Sequence, residues 1–184
     1  MKTNIPESLI AELRGLDKTF VVALEEEFPS DALFSEILHT GTGRMRTLAA
    51  LYRWYDHAKY TINPASHVLI HIGSACSERY APGSVLLVGS LTNGGSERTE
   101  DTIVLDSRGV SLQSVDEVPI GERPDFDLFD TEAYACALFC RETGLRLVCF
   151  KGVVDRLTED GIPDWRKNLK DLQRSFTRLA KMME

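Results

Sequence analysis

A chain of 184 residues with 43% hydrophobic and 27% charged residues has the composition of one globular domain with a sizeable core, not of a disordered segment. Its net charge of -7 argues against a nucleic-acid partner, because that affinity comes largely from basic residues that neutralise phosphates. No apolar run approaches the ~20 residues that span a bilayer, and the opening residues break their apolar content with acids too early for a secretory signal. The expected address is the cytoplasm, with no membrane partner.

Residues 6–16 are predicted to form a short amphipathic helix beginning at Pro6. "TFVVAL" (19–24) is a β-branched apolar run that ends in three glutamates, the pattern of a buried strand. "LFSEILHT" (33–40) is a second strand candidate, stopped by "GTG" at 41–43. Met45, Leu48, Leu51, Tyr52 and Tyr55 then give residues 44–58 helical periodicity. "HVLIHIG" (67–73) and "SVLLVGSL" (84–91) are further strands, and "DTIVLDSRGVSLQSV" (101–115) has the pattern of a hairpin with its turn at "SRG". Residues 116–128 are acidic and contain prolines, as a surface loop does.

In "FDTEAYACALFC" (129–140) two acids, Asp130 and Glu132, precede a helix of small, apolar and sulfur-bearing residues. That helix is expected over 130–143, with Asp130 as its cap and Gly144 as its stop. "LRLVCFKGVV" reads as one more buried strand, ending at Asp155. From Pro163 a long final helix repeats Trp165, Leu169, Leu172, Phe176, Leu179 and Met183, a single apolar stripe suited to packing on the sheet.

Cys76, Cys136, Cys140 and Cys149 lie in apolar surroundings and form no disulfide framework. Cys136 and Cys140 stand one helical turn apart, but no further ligand follows at zinc spacing, and buried thiols pack well in cores. His67 and His71 are about 13 Å apart on a regular strand and cannot share an ion. Neither a metal nor a cofactor is expected.

Strands and helices alternate, and the strands are continuously apolar. That pattern belongs to a single α/β domain whose mixed, mostly parallel central sheet is flanked by helices. Ligands of such sheets sit beyond the C-terminal ends of the strands. There the sequence places Glu25, Glu26 and Glu27, then "GTG", then "GSACS", and finally Asp155. Glu25 and Glu26 read as solvated.

Four segments carry a resemblance in order: "VVALEEEF", "ILHTGTGRMRTLAALY", "HVLIHIGSACS" and "FDTEAYACALFCRETGLRLVCFKGVVD". Together they resemble the nucleoside phosphorylase and nucleosidase superfamily, and within it the methylthioadenosine/S-adenosylhomocysteine nucleosidases. The resemblance covers roughly residues 19–94 and 125–156. It implies that Glu27 orients the attacking water, that Glu132 binds the ribose hydroxyls, and that Asp155 helps protonate the purine. Ser74, beside Gly73, lies in the loop beneath the ribose, and Gly43, Thr131 and Phe129 complete the implied substrate-binding set. Phe129 and Phe126 also read as core residues.

The chemistry suits these residue types. An N-glycosidic bond breaks through an oxocarbenium-like sugar that nearby carboxylates stabilise. The departing purine needs a proton, and an Asp delivers one near neutral pH only where its surroundings favour the acid form. Water is a weak nucleophile that profits from a positioned base.

The sequence also departs from the family pattern. Thr131 replaces a Met, Val154 a Ser, Lys151 an Arg and Cys76 a Gly, and the chain is shorter between the third loop and residue 125. His71 stands where phosphorylases carry an Arg, and glutamates replace their glycine- and arginine-bearing first loop, so hydrolysis fits better than phosphorolysis. The expected activity is hydrolysis of an adenosine-like nucleoside. The alternatives are a phosphorylase or a non-catalytic nucleoside-binding module. The family implies a homodimer or larger assembly.

Overall fold

Runs of β-branched and aliphatic residues build the centre of the molecule, where a pleated, half-buried surface suits them. In the computed structural model, which describes residues 4–28, 35–94, 101–117, 125–157 and 161–184 (161–166 as backbone only), the elements follow one another as α1 (Glu7–Arg14), β1 (Asp17–Val22), β2 (Glu36–His39), α2 (Arg44–Ala58), β3 (His67–Cys76), β4 (Val85–Asn93), β5 (Thr102–Val104), β6 (Val110–Ser114), β7 (Leu128–Asp130), α3 (Ala133–Thr143), β8 (Arg146–Asp155) and α4 (Gly161–Met183).

The sheet is mixed and mostly parallel, as the sequence predicts. β1 runs parallel to β2 and β3, and β3 runs parallel to β8. β8 meets β4 antiparallel, β4 and β6 are parallel, and so are β6 and β7. A single pair, Cys76 with Phe129, joins β7 back to β3. Alternate residues of β8 show how both faces are covered. Leu147, Cys149 and Val153 pack with α2 and α3, while Val148, Phe150 and Val154 pack with α1 and α4. The stripe on α4 lies against this sheet through Leu172, Phe176, Leu179 and Met183. Each such side chain contributes about 1.5–3 kcal/mol when fully buried. The side chain of Trp165 lies outside the described residues.

Two local expectations are corrected. Residues 101–115 do not form a hairpin: β5 pairs antiparallel with β4, and β6 pairs parallel with the same strand. The chain passes over β4 at Gly89, whose carbonyl accepts from Leu105 N and Asp106 N at 2.7 and 3.1 Å. The backbones touch there, since a Cβ on Gly89 would stand 2.3 Å from the Asp106 carbonyl oxygen. A tight "SRG" turn looks alike in sequence whether its arms pair with each other or with a third strand. The other correction is at residue 130. Leu128–Asp130 is a strand, and α3 begins only at Ala133. The predicted end stands: Gly144 adopts φ 75°, the left-handed C-cap that glycine takes without a Cβ penalty.

Candidate active site

Three strand ends and one helix start meet at the edge of the sheet. After β1 the chain turns at Leu24–Glu27, and Glu27 folds back over the turn. Its Oε2 accepts from Leu24 N at 3.2 Å, and its Oε1 accepts from Ser74 N at 2.8 Å and Ser74 Oγ at 2.5 Å. Glu25 and Glu26 are exposed, as predicted, whereas Glu27 is 3% exposed. After β2 the chain turns through Gly41–Gly43. Gly43 has φ 91°, a conformation that L side chains rarely adopt, and its N–H donates to Glu132 Oε1 at 2.7 Å. A carboxylate therefore sits at the N-terminus of α2, where the helix dipole favours negative charge.

These groups line a cavity of about 240 Å³ whose walls include Glu27, Ser74, Phe129, Asp130, Thr131 and Glu132. Thr42, Cys76 and Val154 line it as well. Thr131 donates its hydroxyl to Glu132 Oε1. Phe129, 2% exposed, lines the cavity and also packs edge-on against Phe126 at 6.2 Å, as the core reading expects. Asp155 lies beside the cavity, in register with Cys76, and is 9% exposed. Burial, and then the charges of Asp155 and Asp130, push the Cys76 thiol up to about 12. The other three cysteines are buried, and burial raises their thiols too. No group of three or more His, Cys, Asp or Glu among the described residues is disposed to hold a metal ion.

Sequence reasoning assigns Asp130 a capping role, and its Oδ2 does accept from Ala133 N at 2.8 Å. The same carboxylate does much more. Oδ1 accepts from Ser114 Oγ at 2.5 Å, Lys151 Nζ stands 2.7 Å from Oδ2, and His71 Nε2 lies 3.9 Å away. Burial works against its charge, but Lys151 and His71 overcome that and hold its carboxyl well below the usual range. Burial likewise works against the Lys151 ammonium, and Asp130 foremost keeps it above its ordinary value. The signal for this cluster was present in the sequence: Lys151 is the one charge inside the apolar run "LVCFKGVV". A buried lysine needs a carboxylate partner.

No protein-family model matches the chain, and no curated protein matches it. Solved structures do. The architecture is the nucleoside phosphorylase/nucleosidase fold. A methylthioadenosine/S-adenosylhomocysteine nucleosidase from Neisseria meningitidis, in complex with methylthio-immucillin-A, superposes with a TM-score of 0.74 at 14% identity, over 91% of this chain and 98% of that one. The corresponding nucleosidase from Colwellia psychrerythraea, in complex with adenine, gives 0.74 at 11% identity over 92% and 94%. Futalosine hydrolase of Helicobacter pylori gives 0.73 at 11% identity over 92% and 97%. At such identities the likeness is one of fold.

Proposed function

We propose that the chain is a nucleosidase that hydrolyses the N-glycosidic bond of a purine, adenosine-like nucleoside. The observation that carries this reading is the occupancy of the turn amides. Ser74 N–H and Gly43 N–H, the donors that glycine-bearing strand ends offer to an anion, already hold Glu27 and Glu132. Two carboxylates in those places deny a phosphate co-substrate these two amides and repel its charge. The same carboxylates stabilise positive charge growing on a sugar.

In this mechanism Glu132 accepts from the ribose hydroxyls through Oε2, while Gly43 N–H and Thr131 Oγ hold Oε1. Ser74 and the Gly73 backbone form the floor, and Phe129 faces the base. The C1′–N bond breaks and its electron pair passes to the base, which takes a proton from Asp155. A water oriented by Glu27 bonds to C1′ and yields its proton to that carboxylate. The position of Asp155 at the end of β8, in register with Cys76 at the cavity wall, supports this role.

The fold neighbours with bound adenine or methylthio-immucillin-A are consistent with this substrate class. We place the protein in the cytoplasm as a homodimer or larger assembly, following the family it resembles. The deciding experiment measures free base released from a purine nucleoside panel, with and without phosphate. Release that does not depend on phosphate is the expected result. Phosphate-dependent release would define a phosphorylase, and thermal shifts without turnover would define a binding module.

A further inference from the structure

The pairing of β8 with β3 slips just before the site. Ala75 faces Val153, but the next rung joins Cys76 to Asp155, so Val154 is the extra residue of a β-bulge. With uninterrupted pairing Asp155 would face Ser77, one rung of about 3.3 Å further on. The bulge instead sets Asp155 opposite Cys76, at the cavity wall. Bulges beside active sites re-aim a side chain in this way. The backbone around this one is held from three directions. Val153 bonds to the β3–β4 turn, its N–H donating to Ser84 O at 2.9 Å and its carbonyl accepting from Gly83 N at 2.8 Å. The Asp155 carbonyl accepts from Ser77 N at 3.1 Å. The Val154 carbonyl, in the peptide that leads into Asp155, accepts from the side chain of Asn168 on α4, whose Nδ2 is 2.7 Å away.

Asn168 stands where the stripe of α4 calls for an apolar residue. Positions 168, 172 and 176 lie one above another on a helix, and Leu172 and Phe176 are fully buried against the sheet. Gly152 lets the helix come this close, since a Cβ there would stand 2.5 Å from Leu172 Cδ2 and 2.8 Å from Phe176 Cζ. The same helix is tied beside Glu27 as well, where Gln173 donates to the Glu26 carbonyl. Val154 is 1% exposed, which leaves its carbonyl little water to take in place of the amide. We propose that Asn168 is a positioning residue for Asp155: its amide closes the Val154 bulge and so fixes the carboxyl beside the cavity. This rests on the nucleosidase reading, in which Asp155 gives its proton to the departing base. Asn168 lies outside the cavity lining and acts through the backbone.

The test is Asn168→Leu, which keeps the shape of the side chain, continues the apolar stripe and removes the donor. Leu179→Ala is the control, because it loosens the same helix about three turns away without touching the bulge. In Asn168→Leu kcat should fall by about 10²-fold, the cost of a misplaced reacting group. KM should stay close to wild type, because Asp155 acts only as the bond breaks. Leu179→Ala should lower the melting temperature and keep the wild-type kcat. A wild-type kcat in Asn168→Leu, or an equal loss in both variants, would overturn the proposal. A readout that needs no turnover is amide exchange. The Asp155 N–H should exchange faster in Asn168→Leu, with Val148 and Phe150 of the same strand unchanged. Uniform acceleration along β8, or none at Asp155, would make Asn168 a purely structural residue and overturn the proposal. A wild type that releases no base from any nucleoside would end the nucleosidase reading, and the exchange result alone would then decide whether Asn168 places Asp155. Should Asn168→Leu not fold, Asn168→Ser, whose hydroxyl falls short of Val154 O, takes its place with the same outcomes expected.

Discussion

Lys151 Nζ and Asp130 Oδ2 stand 2.7 Å apart, with both side chains 1% exposed. A pair so buried adds little net stability, because desolvation offsets the attraction, but losing one member strands the other. Lys151→Met and Asp130→Asn should each cost about 3–5 kcal/mol, and the double substitution far less than their sum. Asp130 is held below the ordinary carboxylate range, so its contribution is complete above the unfolded value of about 3.9 and fades as pH falls through the folded one. Lys151 is held above its ordinary value, so its contribution is complete below about 10.4 and fades as pH rises through the folded one. Denaturant unfolding across that window should show a plateau for the pair, and strictly additive costs would contradict the ion-pair account.

Asp155→Asn keeps the shape of the site but removes the acid. Turnover should fall about 10²–10⁴-fold with most nucleoside affinity retained. Glu132→Gln should weaken binding as well, since an amide accepts less strongly than a carboxylate. If these acids only ended elements, both variants would keep wild-type kinetics, which steady-state assays would reveal.

Gly89→Ala should destabilise by about 1–3 kcal/mol, the usual cost of overpacking. The new methyl group meets the Asp106 carbonyl oxygen at 2.3 Å and the Gly109 carbonyl oxygen at 2.7 Å, and these backbone atoms give way poorly. Gly15 supplies the control. It has φ -86° and nothing within 4 Å of an added Cβ, so Gly15→Ala should leave the denaturant midpoint within experimental error.

The Cys76 thiol borders the cavity yet should react sluggishly. With its pKa pushed up to about 12 from 9.0, its thiolate fraction near neutral pH is on the order of a thousandfold below that of a free cysteine. Iodoacetamide labelling, followed by mass spectrometry, should speed up only as pH climbs towards 12. Rapid labelling at pH 8 would show that the acids beside it do not act on the thiol as described.

Sedimentation velocity at micromolar concentration should give a homodimer or larger species. A clean monomer under those conditions would remove the assembly from the proposal.

The parts of this fold legible in sequence were those fixed by local periodicity. The helix at 44–58 and the strand from His67 are where the apolar pattern puts them. The pairing of β5 and β6 was not legible, because "SRG" looks the same whether its arms pair together or with β4. β7 was hidden for another reason. Three residues, Leu128–Asp130, are too few for alternation, and their strand character comes wholly from β6 and Cys76. In the site, the carboxylates stood out as acids at strand ends. That Glu27 and Glu132 would bond to Ser74 and Gly43, and Asp130 to Lys151, depends on sequence separations of 47, 89 and about 20 residues that periodicity cannot span.

The circuit of strand pairings through β3, β8, β4, β6 and β7 closes by one rung, Cys76 with Phe129, whereas β3 and β8 share a long ladder. The thin rung is also a wall of the cavity. A nucleoside touching Ser74 on the β3 side and Glu132 beyond β7 would bridge that seam like a clasp. Under the proposed function, loosening the seam would also let the product go, so amide exchange around Cys76 and Phe129 should keep pace with product release.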